Sequence, residues 1–72
     1  MEKRGYGEIR DIIEEYIDKE SVSDVLMLIQ EICFLKSEHV AAIWQDNQLA
    51  LDWEKTGNII GKLIPKLEKI GL

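Results

Sequence analysis

The sequence has little of what usually stabilises a small protein from within. Its 72 residues include one cysteine, Cys33, and one histidine, His39. A single cysteine excludes an intrachain disulfide, and a structural zinc site, which takes four Cys or His ligands, is not expected. A chain this short buries only about 60% of the surface that it exposes when unfolded. Self-association is the remaining support for so small a core, and we expect a homodimer.

Long apolar runs and clusters of basic residues are missing as well. The longest strictly apolar run covers residues 25–29, whereas about 20 residues are needed to cross a bilayer. The net charge is −5, and phosphate groups of nucleic acids and lipids bind Lys and Arg clusters. We therefore expect no nucleic-acid partner and no membrane association. The charged N-terminus does not resemble a signal peptide, which favours a cytoplasmic location.

The spacing of the apolar residues indicates an all-α protein, because they recur at helical intervals and no segment alternates as a half-buried strand would. We predict a single domain over residues 1–72 with helices at about 8–19, 22–45 and 48–70. The second and third helices are expected to form a long antiparallel hairpin, with a turn at Asp46 and Asn47. One continuous helix through residues 44–53 is the alternative. A shorter amphipathic first helix, with its acids opposite its isoleucines, would complete a bundle by dimerisation.

The third helix shows two series of residues spaced seven apart, as in the seam of a coiled coil. The first series is Trp53, Ile60 and Leu67, and the second is Leu49, Thr56, Leu63 and Ile70. Both are predicted to face the second helix. Pro65 lacks the N–H that would bond to Gly61, so a kink or a restart is expected there.

The second helix has more apolar surface than one neighbour can cover. About half of its circumference is apolar, and a narrow second stripe of Met27, Phe34 and Ala41 recurs every seven residues on the far side. This pattern predicts neighbours on two sides. The stripe would contact the first helix, form the seam of a dimer, or bind an unrelated protein.

Four polar or aromatic residues near the predicted turn allow more than one interpretation. Lys36 and His39 project within the broad apolar arc, where Lys36 would reach water or pair with Asp52 or Glu54; an anion-binding role is the alternative. Trp44 and Trp53 flank the turn and would close the end of the hairpin, or form an exposed aromatic anchor for a partner. The residues predicted for a possible interface are Met27, Phe34, Ala41, Trp44 and Trp53.

No set of residues in the sequence indicates catalysis. Cys33 and His39 lie six residues apart on one helix, and a rotation of about 240° separates their side chains. We therefore expect no catalytic residues, no metal site, no cofactor and no enzymatic activity. The function predicted is a non-enzymatic protein–protein interaction module that self-associates. The alternative is an acidic inhibitor, immunity or antitoxin-like protein that neutralises a basic partner, since residues 11–24 hold six acids and one lysine.

Overall fold

The computed structural model describes the backbone of residues 6–72 and the side chains from residue 7 onward. It contains three helices and, within that part of the chain, no strand. Helix α1 spans Tyr6–Lys19, helix α2 spans Val22–His39 and continues as a π-helical turn over Val40–Trp44, and helix α3 spans Asn47–Ile70. The predicted all-α class is confirmed, and so is the antiparallel hairpin of α2 and α3.

Short side chains at the helix ends explain where α2 and α3 begin. Ser21 caps α2, since its Oγ accepts a hydrogen bond of 3.0 Å from the Asp24 backbone N–H. Asp46 caps α3 in the same way, through a hydrogen bond of 3.0 Å from the Leu49 N–H to Oδ1. Both side chains satisfy N–H groups that have no partner within the helix.

The hairpin turn is short. It separates α2 from α3, which the alternative prediction joined into one continuous helix. Gln45 adopts the left-handed conformation, with φ of 53°, and Asp46 then leaves helical geometry before α3 begins. The continuous helix through residues 44–53 is therefore wrong. Helix α3 runs unbroken through Pro65, so the predicted restart at that residue is also wrong.

Small residues set the close contact between α2 and α3. The buried positions of α3 are Ala50, Gly57 and Ile64, which are spaced seven apart. On α2, Cys33 and the first residue of the π turn, Val40, are buried. The second series predicted to face α2, which begins at Leu49, is therefore wrong by one position. The helices pack together at Ala50 and Gly57, while Thr56 and Ile70 are exposed.

Hydrogen bonds along the hairpin fix its register. Gln30 donates through Nε2 to the Gly57 carbonyl at 3.1 Å. Ser37 donates through Oγ to the Ala50 carbonyl at 2.7 Å. At the open end of the hairpin, the Ser23 backbone N–H donates to the Leu72 carbonyl at 2.8 Å. Side chains on α2 thus bond to backbone carbonyls of α3, which holds the helices at one relative position.

The helices lie in a single layer. The Cα atoms extend 38 × 37 × 13 Å, and the radius of gyration is 14.6 Å, compared with about 11 Å for a compact domain of this length. Helix α1 contacts only the beginning of α2 and, among the described residues, does not contact α3. No side chain among the described residues is completely buried. A layer one helix thick leaves both of its faces open.

Candidate interaction surface

The hairpin has an apolar face that is largely open, with helix α1 alongside its beginning. Helix α3 packs on the side of α2 that carries Ser23, Gln30, Cys33 and Ser37, so most of the broad apolar arc of α2 points elsewhere. Six apolar residues of this arc remain largely outside the hairpin: Val25, Leu28, Ile29, Ile32, Leu35 and Ile43. Ile32 is 50% exposed, Leu35 is 56% exposed and Ile43 is 66% exposed. Hydrophobic side chains exposed in one contiguous strip indicate a binding surface.

Helix α3 extends the same face. Trp53 and Leu49 line a groove together with residues of the α2 arc, which places them on the same side of the hairpin. Leu63 lies on this flank of α3 and is 44% exposed. We call this surface, formed by the six residues of the α2 arc with Leu49, Trp53 and Leu63, the apolar hairpin face.

A groove of about 700 Å³ lies on this face near the turn. We call it the tryptophan groove. Helix α2 and its π turn contribute Ile32, Leu35, Lys36, His39, Val40 and Trp44, and α3 contributes Leu49 and Trp53. The groove therefore combines an apolar floor with two aromatic rings and two basic side chains.

Lys36 is held at this groove by an aromatic ring and not by a carboxylate. Its Nζ lies 5.4 Å from the centroid of the Trp53 ring, within the distance at which a cation is attracted to the face of an indole. Among the described residues no ion pair of Lys36 with Asp52 or Glu54 is found. The predicted pairing with those acids is replaced by this contact, which keeps the ammonium group at the surface of the groove.

The π turn explains why Trp44 lines the groove. Each residue of a π-helix advances the chain through a smaller angle than in an α-helix. In a regular α-helix Trp44 would continue the series Ser23, Gln30, Ser37 and would point toward α3. The wider turn holds Trp44 back toward the groove, where it is 68% exposed. Nothing in the sequence pattern predicts this shift.

The five residues predicted for an interface occupy different surroundings. Trp44 and Trp53 both line the tryptophan groove. Phe34 is half-buried, and its ring lies against Gly57 of α3. Met27 is 43% exposed, and Ala41 is exposed as well. Whether Met27, Phe34 and Ala41 line an interface stays a prediction, but Phe34 already has a neighbour within the chain.

Helix α1 adds a second uncovered apolar surface. Ile9, Ile12, Ile13 and Tyr16 are between 38% and 48% exposed. A small crevice of about 260 Å³ separates α1 from the beginning of α2, lined by residues that include Ile13, Val25 and Ile29. The contact between the two helices is therefore incomplete.

Cys33 and His39 lie in different surroundings. Cys33 is 3% exposed and lies in the contact with α3, whereas His39 is exposed in the tryptophan groove. The described residues hold no group of three or more His, Cys, Asp or Glu side chains that could bind a metal ion. None of the described helices is long and apolar enough to span a bilayer. Comparison with known protein families, with curated proteins and with solved structures finds no match.

Proposed function

We propose that the protein is a non-enzymatic interaction module that self-associates, and that the apolar hairpin face is its principal binding surface. The observation that supports this most strongly is the continuous exposed strip on α2, with Ile32, Leu35 and Ile43 each at least half exposed. A hairpin in a single layer can bury such a strip only against another chain or another layer of helices. A second copy supplies a matching apolar face without requiring any other protein.

The surface area is consistent with a dimer. The chain exposes 5934 Å², whereas a compact monomer of 8.3 kDa exposes about 4,600 Å². A stable interface of standard size buries roughly 800 Å² from each partner. The total surface in excess of a compact fold is therefore large enough to form one.

Light scattering of the purified protein tests this proposal. We expect a mass twice the 8.3 kDa of the chain. Leu35→Glu should shift the protein toward monomer, because it places a charge at the tryptophan groove, within the proposed interface. Met27→Glu is the matched control, since Met27 does not line the tryptophan groove and is 43% exposed, compared with 56% for Leu35. Dissociation by Met27→Glu alone would assign the dimer to the stripe of Met27, Phe34 and Ala41, and a monomeric wild type would refute self-association.

The exposed acids of α1 favour a second function, neutralisation of a basic partner. Asp11, Glu14, Glu15 and Asp18 are all exposed and lie outside the arc of isoleucines on α1. Binding through these acids should weaken steeply with ionic strength, because exposed charges are screened within about 8 Å at physiological salt. Self-association through an apolar face should change little. A dissociation constant for a basic protein that rises about tenfold or more between low and high salt would therefore favour this second function.

A further inference from the structure

The tryptophan groove and the apolar side of α1 are both largely exposed and have similar lengths. Helix α1 has 14 residues and is therefore about 21 Å long. The groove follows α2 from Ile32 to Trp44, which corresponds to about 18 Å of helix. An amphipathic helix that lays its apolar side into a groove of similar length is a common mode of recognition.

The charges of the two surfaces are also complementary. Lys36 and His39 are exposed at the groove, and Lys36 has only an aromatic contact among the described residues. On α1, Glu14 and Glu15 flank the isoleucines and are exposed. A helix seated in the groove would bring acids near the two basic side chains, where such pairs fix orientation.

Other charged residues near the two surfaces do not change the sign of the charge on α1, which stays negative. On α3, Asp52 lies near the edge of the groove and accepts a hydrogen bond of 3.0 Å from Gln48 Nε2. On α1, Arg10 lies 3.5 Å from Asp11 in an exposed ion pair, and Lys19 lies in the last turn. The described part of α1 carries five acids, Arg10 and Lys19, and its net charge is negative.

The symmetry of a dimer would place α1 of one copy beside the tryptophan groove of the other copy. When two copies of a helix pack about a two-fold axis perpendicular to them, they run antiparallel, and the beginning of each lies beside the end of the other. Helix α1 is joined to the beginning of α2 by Glu20 and Ser21. The tryptophan groove lies at the other end of α2. In a dimer of this symmetry, helix α1 of one copy would lie next to the groove of its partner.

We propose that α1 of each copy lies in the tryptophan groove of the other, so that the two chains exchange their first helices. The inference rests on the proposed self-association. It covers both uncovered apolar surfaces with one symmetric contact. It also gives Lys36 and His39 a role, as the basic groups that select the acidic helix. The competing arrangement is α1 folded back onto α2 of its own chain, which the two-residue connection permits.

Two single-cysteine proteins distinguish these arrangements. In a Cys33→Ala background, one variant carries Ile13→Cys on the apolar side of α1, and the other carries Leu35→Cys at the groove. Each cysteine is on a different chain, so a disulfide between them forms only when α1 of one chain reaches the groove of another. We expect the mixed disulfide to be the main product of mild oxidation of the mixture. Asp11→Cys in place of Ile13→Cys is the control, and it should give little mixed product.

A mixing experiment without cysteines provides an independent test. Ile12→Asp damages α1, and Leu49→Glu damages the groove, so each variant alone should dimerise about tenfold or more weakly. In the mixture, the intact α1 of one variant meets the intact groove of the other, and the heterodimer should form more tightly than either homodimer. Helices that fold back within their own chain would give no such gain.

The outcomes separate this inference from the function on which it rests. A dimeric wild type whose mixed disulfide does not exceed the Asp11→Cys control, and whose mixed variants show no gain in affinity, would overturn the exchange of α1 and leave self-association intact. A monomeric wild type would overturn both. Mixed disulfide above the control, together with preferred heterodimer formation, would support the exchange.

Discussion

The ring of Phe34 lies directly over Gly57, where a Cβ atom on the glycine would be 2.6 Å from the nearest ring carbon. This contact between the two long helices depends on the absence of a side chain at Gly57. The Phe34 ring occupies the space that a side chain at position 57 would fill. Phe34 therefore contributes to the hairpin itself, whatever else its stripe contacts.

Replacement of Gly57 by alanine is expected to destabilise the protein. The added methyl group would push the Phe34 ring or the helices apart, at a cost of about 1–3 kcal/mol in the free energy of unfolding. Gly7→Ala is the matched control, since Gly7 lies in helix α1 with open space around its Cβ position. The control should be neutral or stabilising by up to about 1 kcal/mol, because alanine favours helix. Chemical denaturation measures both, and equal effects would refute the contact.

Two serines of α2 are expected to differ in how their replacement by alanine changes the stability of the protein. Ser37→Ala removes the hydrogen bond of 2.7 Å to the Ala50 carbonyl and should cost about 1 kcal/mol of stability. Ser23 is 4% exposed, and its Oγ is without a hydrogen-bond partner among the described residues. Ser23→Ala should therefore be neutral or stabilising by up to about 1 kcal/mol. A larger loss for Ser23→Ala than for Ser37→Ala in urea unfolding would contradict these placements.

The turn between α2 and α3 carries a residue in an unfavourable conformation. Gln45 has φ of 53°, and a non-glycine residue in the left-handed region costs roughly 1 kcal/mol. Gln45→Gly removes this cost and should raise stability by about 0.5–1 kcal/mol, with a higher midpoint of thermal unfolding. Gln45→Val should lower the midpoint, because a β-branched side chain tolerates this conformation least. If both variants lowered it equally, backbone conformation at Gln45 would not be the cause.

The N-terminal cap of α3 gives a fourth prediction. Asp46→Ala leaves the Leu49 N–H without its side-chain acceptor and should cost about 0.5–2 kcal/mol. Asp46→Asn keeps an acceptor oxygen at the same place and should cost much less. Thermal unfolding of the pair separates the hydrogen bond from the charge, since only the charge is lost in the second variant. Equal losses would show that the charge, acting on the helix dipole, is what matters.

The helices could be predicted from the sequence because each carries its own pattern and its own cap. Ser21 and Asp46 mark the beginnings of α2 and α3, and the hairpin follows from a short connection between two long amphipathic helices. The side on which α3 packs was harder to predict. Apolar spacing favoured Thr56, Leu63 and Ile70 as inner residues, but Gly57 and its neighbours in the series allow the closer approach.

The surface could be predicted only in part. The sequence showed that α2 has more apolar surface than one neighbour covers, and it singled out Trp44 and Trp53. It did not show that Phe34 of the narrow stripe would pack on α3, or that Trp44 would join the open broad arc. Two local features decide this: the fit of Phe34 on Gly57, and the π turn that holds Trp44 toward the groove. Neither has a signature in hydrophobic spacing.

The most direct test of the proposed self-association is thermal unfolding at several protein concentrations. If a second copy covers the apolar hairpin face, the folded state is stabilised by mass action, and the midpoint of unfolding rises with protein concentration. We expect a rise of several degrees over about a hundredfold range of concentration, and a smaller rise for Leu35→Glu. A midpoint that does not change with concentration, with the mass of a single chain throughout, would show that the protein folds with this face uncovered.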